Sequence, residues 1–84
     1  MARIEIYTKF LCPYCARAKK LLEGKGASYE EHAIDTDPGK RAEMMQLTGR
    51  RTVPQIYIGD THVGGYDDLA ALDRAGKLDP MLRG

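Results

Sequence analysis

Two cysteines separated by two residues, Cys12 and Cys15, lie between a short β-forming run and an amphipathic helical pattern. That arrangement constrains the fold more than any other feature of the chain. Arg3 to Tyr7 reads RIEIY, a strand with Ile4 and Ile6 on one face. Thr8 to Leu11 is a loop, and Pro13 suits the first position of a helix, where its missing N–H would be an orphan donor. Tyr14, Ala18, Leu21 and Leu22 then recur at helical spacing, and Gly24 and Gly26 end the helix. Cys12 therefore falls at the N-cap, exposed and facing free N–H groups, and Cys15 one turn inside. A helix N-terminus favours the thiolate, the reactive form of cysteine. Cys12 is expected to attack a disulfide and to titrate below the free-thiol value of about 8.5. Cys15 is expected to resolve the mixed disulfide that results.

The remaining chain reads as alternating elements with no repeat, linker or low-complexity tract. Tyr29 to Ile34 is a second strand. Asp37 and Pro38 resemble an N-cap and first helical residue, Ala42, Met45 and Leu47 supply part of an apolar face, and Gly49 stops the helix. Pro54 opens a third strand, Gln55 to Ile58. Gly59-Asp60 is a hairpin turn signal before a fourth strand, Thr61 to Val63. Asp67 and Asp68 begin a third helix, which runs through Leu69, Leu72 and Ala75 to Gly76. Asp79-Pro80 starts one more short turn. The order β-α-β-α-β-β-α implies a parallel pair from the first crossover and an antiparallel pair at the hairpin. An α/β fold with a mixed four-stranded sheet and helices on both faces accommodates both.

Size and charge bound the function. Eighty-four residues make one small domain, 1–84, which buries a little over about 60% of its unfolded surface. The 13 basic and 12 acidic residues give a net charge of +1, without the basic footprint of a nucleic-acid binder. No apolar run approaches the roughly 18 residues of a membrane span. The start, MARIEIYTKF, lacks the apolar core of a signal peptide, so a cytoplasmic location is expected. In a reducing cytosol a cysteine pair is more often catalytic or metal-binding than structural, and so short a loop adds little stability when closed. Residues 1–25 carry six basic and two acidic groups, Lys9, Arg17, Lys19 and Lys20 among them. This local field favours a thiolate and an anionic ligand, or else Lys19 and Lys20 belong to a solvated basic face. For zinc, the pair would need two more ligands. His32 and His62 lie thirty positions apart, without the spacing of a zinc finger. They read as surface or internally satisfied residues, and no bound metal is expected.

Three segments then carry a resemblance: CPYC after IYTKFL, Thr52-Val53-Pro54, and Gly64-Gly65-Tyr66-Asp67-Asp68. In that order, across nearly the whole chain, they resemble a glutaredoxin of the small bacterial dithiol kind. The resemblance implies a thioredoxin-like fold with strand order 2-1-3-4, strand 3 antiparallel, and Pro54 cis and facing the cysteines. It implies a glutathione-dependent thiol–disulfide oxidoreductase, with glutathione as co-substrate rather than a held cofactor.

Glutathione is an extended tripeptide with two carboxylates and one ammonium. With Pro54 cis, Val53 offers N–H and C=O for strand-like pairing, with Thr52 beside it. The resemblance places Lys9 near the glycine carboxylate, Arg41 at a second contact to it, and Tyr14 beside the sulfur; Arg51 could add charge. The third helix begins near Gly65, Tyr66 and Asp67, and its N–H groups can bind the γ-glutamyl carboxylate. Asp67 or Asp68 can accept from the ammonium or simply cap the helix. Tyr66 departs from the smaller residue many relatives carry. The implied partners are glutathionylated or disulfide-containing proteins, ribonucleotide reductase among the family candidates. Glutathione reductase acts indirectly, through the glutathione pool, and the chain is expected to be a monomer without nucleic-acid or membrane partners. Two alternatives stand beside this reading: a redoxin served by thioredoxin reductase, which usually lacks the second and third segments, and a carrier of a glutathione-ligated 2Fe–2S cluster, which typically has one cysteine.

Overall fold

The computed structural model describes residues 2–84. Its elements are β1 (Ile4–Thr8), α1 (Pro13–Gly24), β2 (Glu30–Ala33), α2 (Pro38–Thr48), β3 (Gln55–Ile58), β4 (Thr61–Gly64), α3 (Tyr66–Arg74) and α4 (Leu78–Arg83). The strands form one sheet in the order β2-β1-β3-β4. β1 runs parallel to β2, with Glu5 opposite Glu30 and Tyr7 opposite His32. β3 is antiparallel to both β1 and β4. This is the mixed sheet expected from the sequence.

The two faces of β1 separate the core into two parts. Ile4 and Ile6 point to one side and pack with Ala18 and Leu22 of α1, Leu69 of α3, and Leu78 and Leu82 of α4. Tyr7 points to the other, where it meets Ile34 and Met44 under α2. Strand alternation places those residues on opposite faces, and so decides which helix covers which side.

Helix ends follow the local sequence. Asp37 caps α2 through its carboxylate, which accepts from the N–H groups of Gly39 (3.0 Å) and Lys40 (3.2 Å). Gly49, in the left-handed region at φ 69°, ends that helix. The face of α2 differs from expectation. Met44 is fully buried, Met45 is half-buried, and Ala42 and Leu47 are exposed. Apolar side chains lie on several sides of this helix, so docking onto Tyr7 and Ile34 selects the face. The expected turn at Asp79-Pro80 is the helix α4, held by buried Leu78 and Leu82 at i and i+4. Lys25, at the end of α1, reaches Asp73 of α3 (2.7 Å) and Asp79 of α4 (3.1 Å).

Candidate active site

β1 delivers the chain to the cysteines through a short turn. Leu11 takes a left-handed conformation at φ 54°, which costs a non-glycine residue roughly 1–2 kcal/mol. It turns the chain out of the strand and into α1. Cys12 is the N-cap, with Pro13 at the first helical position. The Cys12 sulfur accepts a hydrogen bond from the Cys15 N–H at 3.2 Å, the donor a thiolate would use. Cys12 is half-exposed, whereas Cys15 is 2% exposed. The two form a disulfide with their Cα atoms 5.2 Å apart. One sulfur is thus open to attack and attackable from outside; the other is reachable from its partner.

Across from α1, the Val53–Pro54 peptide bond is cis, and the Val53 carbonyl oxygen lies 3.9 Å from the Cys12 sulfur. Thr52, Val53, Pro54 and Gln55 line one hollow together with Tyr14, Gly65, Tyr66, Asp67 and Arg50. Gly65 caps α3, and the first residues of that helix, whose N–H groups have no intrahelical partners, lie at the edge of this hollow. The Asp68 carboxylate turns back to accept from the Gly65 N–H at 3.0 Å. Gly64 holds φ at 112°, and a Cβ there would collide with the Asp68 carboxylate. Tyr14 packs between Tyr66, with ring centroids 6.2 Å apart, and the Arg17 guanidinium, 5.2 Å from its centroid.

A second, larger hollow is lined by Thr8 to Pro13, Cys15, Ala16, Lys19 and the end of β2. Lys9 lies here, exposed, with Phe10 and Leu11 at 77% and 83% exposure.

The matching family model is that of glutaredoxin, over residues 4–63. The chain is 58% identical over 83 residues to glutaredoxin 3 of Escherichia coli (strain K12), spanning 99% of this chain and 100% of that one. It belongs to the glutaredoxin family. A glutaredoxin of Pseudomonas aeruginosa is 57% identical over 82 residues, 98% of each chain. Among solved structures, a buckwheat glutaredoxin–glutathione complex matches with a TM-score of 0.89 at 39% identity, covering 98% of this chain and 77% of that one. The solution structure of a glutaredoxin from Brucella melitensis gives 0.85 at 55% identity, with 98% and 89% coverage. The chain is therefore a thiol–disulfide oxidoreductase with Cys12 and Cys15 as its redox-active pair, in the thioredoxin-like architecture of that family.

The structure gathers Tyr14, Thr52, Val53, Pro54, Gly65, Tyr66 and Asp67 in one hollow. Lys9 lines the other one, Asp68 serves the backbone of Gly65, and Arg41 is exposed on α2 and lines neither. Arg50 and Gln55 line the first hollow without having been singled out in the sequence. Two arginines stand before Thr52, and the fold places Arg50, not Arg51, on the wall of this hollow. His32 is buried and lies 3.1 Å from Glu5, and His62 lies 2.8 Å from Gln55, so both are satisfied internally. Among the described residues, Glu5, Glu30 and His32 form one group of close metal-ligating atoms. Arg3 already engages both of its carboxylates, at 3.8 and 2.7 Å.

Proposed function

We propose that this enzyme uses glutathione, bound in the hollow between Tyr14, Thr52–Pro54 and the start of α3. The observation that carries the reading is the 3.9 Å approach of the Val53 carbonyl to the Cys12 sulfur, with the start of α3 in the same hollow. A tripeptide joined to Cys12 through its own cysteine then runs along the Val53 backbone as a short strand pair. Its γ-glutamyl carboxylate meets the first N–H groups of α3, and its ammonium meets Asp67. Arg50 lines this hollow and supplies a cation for the glycine carboxylate, and the long side chains of Lys9 and Arg41 reach it from outside the hollow. Tyr14 and Tyr66 wall the sulfur. The buckwheat structure, a glutaredoxin–glutathione complex, supports extending glutathione to this chain.

Two routes follow. In the monothiol route, Cys12 takes glutathione from a glutathionylated protein, and a second glutathione frees Cys12 as glutathione disulfide. In the dithiol route, Cys12 attacks a protein disulfide and Cys15 displaces the protein. Two glutathiones then reduce the Cys12–Cys15 disulfide. Glutathione reductase restores the pool, with ribonucleotide reductase a candidate protein substrate and the cytoplasm the compartment. The chain acts as a monomer in one domain and needs no metal for either route.

A coupled assay with NADPH, glutathione reductase, glutathione and a small glutathione mixed disulfide tests the reading. Turnover that depends on glutathione and vanishes in Cys12→Ser supports it. Reduction by thioredoxin reductase as fast as by glutathione contradicts it.

A further inference from the structure

Lys19 follows Cys15 by four residues on α1, so the two share a helix face. Helical side chains lean toward the N-terminus, which carries the Lys19 stem toward the cysteines. Its ammonium is captured by Glu31 of β2, 3.0 Å from Oε2. The same oxygen accepts from the Thr8 hydroxyl at 2.7 Å, and Thr8 is 2% exposed at the end of β1. Thr8, Lys19 and Glu31 line the larger hollow together with both cysteines. The Thr8 hydrogen bond, foremost, and Lys19 hold the Glu31 carboxyl below the ordinary range against its desolvation. Glu31 is therefore charged at neutral pH. The other charged groups on this hollow are Lys9, which is exposed, and Asp35, which accepts from the Phe10 N–H at 2.9 Å.

We propose that Glu31 is a positioning residue for the dithiol couple: anchored by Thr8, it neutralises Lys19 beside the cysteines and so sets the reduction potential of the Cys12–Cys15 pair. The half-reaction is the disulfide plus two electrons and two protons giving two thiols, one proton fewer where Cys12 remains a thiolate. Two glutathione thiols supply the electrons and protons and leave as one glutathione disulfide. A cation near the sulfurs stabilises the thiolate of the reduced side and has no comparable effect on the neutral disulfide. An unopposed Lys19 makes the pair more readily reduced and more oxidising; Glu31 cancels that charge. The inference rests on Cys12 and Cys15 as the redox pair and is independent of the glutathione groove.

The test equilibrates the purified protein with 2-mercaptoethanol and its disulfide, and separately with glutathione and its disulfide, and reads the reduced fraction by alkylation and mass spectrometry. Agreement between the two couples separates this inference from the fate of the glutathione groove. Glu31→Gln is expected to raise the equilibrium constant for reduction more than twofold and up to about tenfold, about 9 to 30 mV more oxidising. The thiolate ultraviolet absorbance of its reduced form is expected to titrate at lower pH. Lys19→Met, which leaves Glu31 unopposed, is expected to shift both readouts the opposite way. The double variant returns to within twofold of the parent, and Thr8→Val, which removes no charge, moves the constant less than either single change. Single variants that shift in the same direction, or both by less than twofold, overturn the proposal. So does a Thr8→Val shift as large as that of Glu31→Gln, because the effect would then come from packing rather than charge.

Discussion

Cys12 and Cys15 receive different surroundings from a difference of three positions. Cys12 accepts an N–H from the helix start and is half-exposed, while Cys15 is buried. Cys12→Ser is expected to abolish turnover of every disulfide substrate. Cys15→Ser is expected to keep deglutathionylation and to lose reduction of protein disulfides. A folded Cys15→Ser protein that loses both activities would contradict the division of roles. Neighbouring aspartates separate in a similar way. Asp67 lines the hollow beside Val53, whereas Asp68 is committed to the Gly65 N–H. Asp67→Asn is expected to raise the apparent KM for glutathione a few-fold with little change in Tm, since exposed ion pairs are worth roughly 0.2–1 kcal/mol. Asp68→Ala is expected to cost about 1 kcal/mol of stability in urea unfolding, through the lost backbone contact. The sequence offered both residues equally for ammonium binding. In the structure Asp68 lies against Gly64, at φ 112°, and one of its carboxylate oxygens accepts from the Gly65 N–H.

Among the elements, those marked by strong local signals were readable in the sequence. RIEIY, the Pro13 helix start, Asp37-Pro38, QIYI and the Gly59-Asp60 turn each appear within a residue or so of where they were expected. Elements whose faces depend on what they dock against were not. In α2 the sequence suggested Ala42, Met45 and Leu47, but Met44 is the buried residue and Leu47 is 57% exposed. Met44→Ala is therefore expected to cost about 2–5 kcal/mol, as for other large core truncations. Leu47→Ala is expected to stay within about 0.5 kcal/mol, as surface changes do. Urea midpoints of the two variants check this, and equal losses would mean that the helix docks on a different face. The site divides along the same line. The segments at 52–54 and 65–67, each marked by a local motif, line one hollow together, and the cysteines lie at the start of α1 as the motif implies. The Lys19–Glu31–Thr8 network spans three elements and has no local signature, so only the fold reveals it.

For the molecule as a whole, the titratable groups tied into the fold set a pH range of stability. Glu30, Glu31 and Glu43 lie below the ordinary carboxylate value of 4.5, held first by hydrogen bonds from Arg3, Thr8 and Tyr7 respectively. Their lowered values in the folded state add stability above the unfolded value, and it is lost as pH falls below about 4.5. Tyr7 and Tyr29 are raised above the usual tyrosine value of 10.0, first by burial and then by hydrogen bonds to Glu43 and Glu23; Tyr29 rises to about 12. Their contribution is complete below pH 10 and fades as pH rises through their folded values. Urea midpoints measured across pH are therefore expected to show a plateau between about 5 and 10 with a fall on each side. Glu43→Gln should weaken the fall on the acid side; an unchanged acid limb would contradict its part. The same fold forms two hollows, one lined by both cysteines and one by Tyr14 and Val53, and the functional account depends on which one receives glutathione. The direct measurement is a comparison of backbone amide NMR shifts in Cys15→Ser protein before and after Cys12 is joined to glutathione. The account predicts the largest changes at Thr52, Val53 and the amides of Gly65 to Asp68. Changes confined to residues 9–16 and 31–36, with Val53 and Asp67 unmoved, would contradict it.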